Sequence, residues 1–197
     1  MRLNHWSTVT AAGLIASLAM LTTACTQPDG DGPSPTPSRS ATIEPPTPSA
    51  SPTPTVDPEV AEAEAAILEA YRGYWAAKVS ILADPSLEPG TALETYAVDT
   101  ALTDVYSTVL SFRSDGIIMV GQPVLDPQVT DIVPGTEGTA AITDCVDVAD
   151  WQPVFRDSGA SAAAPGQATR VSATATAYFY MDRWTIRTYV VDRETPC

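Results

Sequence analysis

Asp144, Asp147 and Asp150 recur at every third position just before Trp151, and acidic oxygens gathered in this way are what a calcium ion or an acid–base pair would require. The spacing is not that of an EF-hand loop, and on a strand Asp144 and Asp147 would point to opposite faces. The three read as solvated carboxylates at a strand end, weak candidates for a metal, and no cofactor is expected. Aromatic residues are the second constellation. Tyr71, Trp75, Tyr96, Tyr106, Trp151 and Trp184, with Phe155, Tyr178 and Tyr180 nearby in sequence, could line a pocket for an apolar or sugar ligand. Their helical and strand spacing is equally that of core residues.

Absences narrow the chemistry further. The one histidine, His5, stands in the N-terminal segment, so residues beyond it hold no Ser–His or Cys–His nucleophile and no His-ligated zinc. Lys78 sits in Trp75-Ala76-Ala77-Lys78, which is not a Ser-x-x-Lys arrangement. No glycine-rich phosphate loop and no paired CxxC occurs. Catalysis is not expected; a carboxylate-based enzyme is the least favoured of the readings kept.

Met1 to His5 carries Arg2, and Val9 to Leu21 follows as an apolar run, which together read as an export signal. The junction Leu21-Thr22-Thr23-Ala24-Cys25 resembles a bacterial lipobox, with one departure: Thr22 stands where Leu, Val or Ile is usual. The resemblance implies a diacylglyceryl group on Cys25, cleavage after Ala24 and retention at the outer face of the cytoplasmic membrane. A plain secretory signal cut near Ala24 and an uncleaved anchor helix are the alternatives. Residues 1–24 are thus a lipoprotein signal and 25–58 a Pro/Ser/Thr-rich stalk, in which 10 of the 33 residues from Thr26 to Pro58 are proline. Such a stretch cannot bury a core. With Cys25 lipidated, Cys145 and Cys197 remain as a pair in an oxidising setting, closing a loop of about 52 residues.

Residues 59–197 suffice for one domain. The chain has 24 acidic against 10 basic side chains and a formal net charge of -14, a field that repels nucleic acid. Asp57 and Pro58 open a helix whose apolar stripe includes Val60, Ile67, Tyr71, Trp75, Val79 and Leu82, ending at Asp84-Pro85. A short helix is expected within 89–97, and another from a cap at Asp99 to a stop at Gly116. From there the period changes to two. Strands are expected over 117–120, 124–133, 139–148, 168–181 and 184–192, the last with Trp184, Ile186 and Val190 inward and turned at Asp182-Arg183. Helices first and strands second imply an α+β fold with the N-terminal helices packed on a curved antiparallel sheet.

Tyr71-Arg72-Gly73-Tyr74-Trp75, Tyr96-Ala97 and Trp184-Thr185-Ile186-Arg187 resemble actinobacterial secreted lipoproteins of unassigned function, and the order of elements is similar to the nuclear-transport-factor-2-like cone. That superfamily includes isomerases, dehydratases and many non-catalytic binding or assembly modules, so the likeness says little about chemistry. The expectation is a binding or assembly module of the cell envelope, joined to the membrane through Cys25. Its partner would be an envelope protein or a small apolar or sugar ligand.

Overall fold

A computed structural model describes residues 57–88, 90–195 and 197. The export signal, Cys25 and the stalk up to residue 56 lie outside the described residues. At Asp57 the carboxylate accepts the Glu59 N–H at 2.9 Å and Pro58 takes the first helical position, where its missing N–H costs nothing. Helix α1 (Pro58–Ala83) follows, burying Ile67, Ala70, Tyr71, Tyr74 and Trp75 on a face wider than the expected stripe. Helix α2 (Thr91–Tyr96) buries Leu93. Helix α3 (Asp99–Asp115) turns Ala101, Val105 and Val109 inward and stops at Gly116, whose φ of 67° suits a residue without Cβ.

The expected cap of α3 is not made. Val98 holds the cap position without a side-chain bond, because the Asp99 carboxylate accepts the Arg187 Nε–H at 2.8 Å instead.

The strands form two sheets where the sequence suggests one. β1 (Ile117–Gly121) pairs antiparallel with β4 (Trp151–Phe155) as a ribbon of two. β2 (Gln128–Val133), β3 (Thr139–Asp147), β5 (Arg170–Tyr180) and β6 (Arg183–Asp192) form an antiparallel sheet in the order β2-β3-β5-β6. β4 has no counterpart in the sequence reading, since it is five residues long, lacks alternation and carries Pro153, which argues against a strand. The expected strand over 124–133 is split. Val124 makes only an isolated bridge to Asp147, and pairing resumes at Gln128, beyond Pro127. β1 ends at Gly121, where a Cβ would stand 1.7 Å from the Asp150 carbonyl oxygen, so only glycine lets the ribbon close there.

Helices packed against antiparallel sheets make the fold α+β. β3 directs Ala140, Ile142, Asp144 and Val146 to the core, and β5 directs Val171, Ala173, Ala175 and Ala177 there. The hairpin between β5 and β6 turns on Met181 and Asp182, both at positive φ, one residue before the expected turn.

On β6 the register breaks. Ala177 faces Ile186 but Thr176 faces Thr188, leaving Arg187 unpaired as a bulge. One extra residue reverses every side chain beyond it. Trp184 and Ile186 point inward as expected. Past the bulge Val190 turns outward, at 61% exposure, while Tyr189 and Val191 pack on the core.

Candidate ligand cavity

The β3 alternation sets Asp144 on the core face, where it is 5% exposed. That corrects its reading as a solvated carboxylate. Its Oδ2 accepts the Tyr71 hydroxyl at 2.9 Å and its Oδ1 the Asp126 N–H at 2.8 Å. Burial pushes the Asp144 carboxyl above its ordinary range, and these two bonds offset the rise only in part. Burial also drives the Tyr71 hydroxyl strongly upward, so it stays protonated and donating. Asp147 instead accepts the Ala149 N–H at 2.9 Å, and Asp150 lies in an exposed turn. The three aspartates do not converge, and among the described residues no cluster of three acidic, His or Cys side chains could hold a metal.

Further along α1 stands the chain's one lysine, Lys78. Tyr74 and Trp75 precede Lys78 by four and three residues and so share its face of α1. The β6 bulge adds Tyr189, and β4 adds Trp151. The Lys78 Nζ lies 4.3 Å from the Tyr189 ring centre, 4.4 Å from Trp75, 5.6 Å from Tyr74 and 5.9 Å from Trp151. The rings brace one another: Trp75 meets Trp151 at 5.3 Å and Tyr189 at 5.4 Å, edge to face in both cases. Trp75 Nε1, Trp151 Nε1 and the Tyr189 hydroxyl are buried without a hydrogen-bond partner. Burial depresses the Lys78 amine to about 8, the Arg193 charge acts in the same direction, and Asp104 opposes them. The aromatic faces favour the ammonium and temper the effect.

Lys78 borders a cavity of about 400 Å³ between α1, α3, the β1–β4 ribbon and the segment 163–169. Its apolar wall is made by Leu82, Phe112, Met119, Val148, Trp151 and Pro153, and Arg193 stands at the rim. Among the described residues neither Lys78 nor Arg193 makes an ion pair; the three that form are Arg113–Glu88, Arg156–Asp84 and Arg187–Asp99. A recess of about 490 Å³ on the other flank of α1, lined by Arg72, Trp75, Val79, Gly121, Pro123 and Leu125, is a more open groove.

The six aromatics singled out in the sequence do not enclose one space. Trp75 and Trp151 belong to the cage, while Tyr71 is committed to Asp144. Tyr96 lies with Trp184 and Phe179 in a separate groove. Trp184 is buried edge to face against Phe179, and the Tyr106 hydroxyl donates to Glu94 at 2.9 Å outside the cavity. Sequence reasoning missed Lys78, Tyr74, Tyr189 and Arg193. The available signal for the first two was a single lysine placed three and four residues after Trp and Tyr.

Cys145 and Cys197 stand as a disulfide with Cα atoms 5.8 Å apart, and Arg170 Nη2 donates to the Cys145 Sγ at 3.0 Å. The bridge turns the tail beyond β6 back across β5 toward β3. Arg193 is carried on that tail.

No protein-family model and no curated protein matches the chain. Among solved structures it is similar to the intermembrane space region of the chloroplast protein ARC6, at 12% identity over 72% of this chain and 100% of that one, with a TM-score of 0.39. It is also similar to a de novo designed β-sheet protein, at 19% identity over 65% of this chain and 88% of that one, with a TM-score of 0.32. Likeness at this level carries no functional argument.

Proposed function

We propose that the protein is an exported binding module, anchored through lipid on Cys25 at the outer face of the cytoplasmic membrane. Its domain, a cone of the nuclear-transport-factor-2 type, holds a small ligand with an apolar body and does no chemistry on it. The observation that carries this reading is the cavity of about 400 Å³ walled by Leu82, Phe112, Met119 and Trp151, a size suited to a small molecule. The lipobox-like junction at Cys25 supplies the anchor, and the stalk after it supplies reach from the membrane.

Titration with decan-1-ol, followed by tryptophan emission, tests the cavity, because Trp151 forms its wall. A saturable change is expected, and Ala168→Phe, which fills the space, should abolish it. A flat titration, or an unchanged response in Ala168→Phe, overturns the reading.

A further inference from the structure

We propose that the ligand is a single-chain amphiphile with a carboxylate head, seated with its anionic group between Lys78 and Arg193 and its chain against Leu82, Phe112 and Met119. This rests on the cavity being a ligand site, and it names the class of ligand.

Charge is the first argument. In a chain of net charge -14, two cations border one cavity and neither is paired with a carboxylate among the described residues. Two like charges brought together repel, and burial also strips hydration from Lys78; an anion between the two offsets both costs. Chemistry is the second. Arg193 offers a planar fork that matches a carboxylate, and Lys78 a compact charge fixed in place by four rings. Held in this way, the ammonium loses little freedom when a ligand arrives. Shape is the third. Leu82, Phe112, Met119, Val148, Trp151 and Pro153 give the wall a hydrocarbon side, while Thr108, Gln152, Gln167 and Thr169 are its other polar members. That suits a body without charge of its own.

The arrangement makes binding sensitive to pH in a way that identifies Lys78. Its amine, depressed to about 8, is charged at pH 7 and neutral at pH 9.5. The tyrosines facing it hold their state across that interval, since burial pushes Tyr74 and Tyr189 well above their ordinary values. Arg193 and Asp104 are the charged groups beside it.

The test compares decanoate with decan-1-ol by calorimetry on the purified Cys25→Ser chain, which carries no acyl groups to compete. Decanoate should bind at least tenfold more tightly than the alcohol at pH 7 and lose about tenfold or more by pH 9.5, while the alcohol does not change. Lys78→Met should keep only the few-fold preference that Arg193 supplies, and that remainder should not change with pH. Lys78→Arg should keep the preference and lose its pH dependence, since a guanidinium does not titrate there. Equal affinity for acid and alcohol in the wild type overturns the carboxylate proposal and leaves the cavity reading standing. So does a pH dependence that survives in Lys78→Arg. If neither ligand binds, the cavity reading falls, and this proposal with it.

Discussion

The Nζ of Lys78, the one amine on α1, lies 4.3 Å from the centre of the Tyr189 ring on β6. The contact exists because of the bulge at Arg187. Without that extra residue Val190 would face the core and Tyr189 would face solvent. The same Arg187 pairs with Asp99 at the start of α3, so the ion pair that displaces a helix cap also marks the break in register. A surface residue thus sets the wall of the cage.

The cage holds Lys78 at a cost that depends on pH. Its folded pKa of about 8 lies below the ordinary lysine value of about 10.4. Between these two pH values the unfolded chain binds more protons than the folded one, so stability rises with pH across the window and the penalty is complete below it. Lys78→Met keeps the length and removes the ion. By urea unfolding the variant should be more stable than wild type at pH 7, by about 1–2 kcal/mol. The gain should shrink between pH 8 and 10. A variant less stable at pH 7, or a gain that is constant over that interval, would refute the burial argument.

The Tyr71–Asp144 bond makes an opposite prediction on the acid side. The folded pKa of Asp144 is raised by burial, so its contribution to stability is greatest below the unfolded value and is lost as pH rises through the folded one. Tyr71→Phe removes one of the two donors to the carboxylate and should cost about 1–3 kcal/mol at pH 7. The deficit should be smaller at pH 4, where the carboxyl takes up its proton more readily. Denaturant curves at the two pH values decide it, and a deficit as large at pH 4 as at pH 7 counts against the assignment.

Lipidation of Cys25 is tested by Cys25→Ser and cell fractionation. Wild type should partition with membranes and carry the mass of a diacylglyceryl group, since two chains give stable retention. The variant should appear in the soluble fraction. Identical partitioning, with no lipid mass on the wild type, would remove the anchor from the proposal.

The helices and the core strands were legible because each rests on a period that one residue's neighbours already display. Pro58 after Asp57, the stripe from Ile67 to Leu82, and the alternation from Val171 to Ala177 state their own geometry. What stayed hidden depends on partners distant in sequence. β4 is too short and too proline-marked to declare itself, and it exists because β1 lies beside it. Asp144 reads as a surface carboxylate until Tyr71, 73 residues earlier, gives it a donor. Tyr189 reads as an outward residue until the bulge reverses it. Lys78 was visible but was weighed only as a catalytic base; its role depends on Trp151 and Tyr189 reaching it from two different sheets.

The Cys145–Cys197 bridge provides the last prediction, because it ties the stability of the domain to its cavity. A cross-link closing 52 residues restricts the unfolded chain and contributes about 4 kcal/mol on the chain-entropy account. Cys197→Ser should therefore lower the melting temperature by more than about 5 °C. The bridge also fixes the tail beyond Asp192, on which Arg193 stands at the rim of the cavity. Freed at its end, that segment keeps the Glu194 and Thr195 N–H groups donating to the Asp192 carboxylate, and chain ends without a tie fray. Decanoate affinity should fall several-fold in Cys197→Ser at a temperature where the domain is still folded, while decan-1-ol affinity stays within a factor of about two. A loss shared equally by both ligands would mean that the bridge supports the cavity as a whole and has no separate part in placing Arg193.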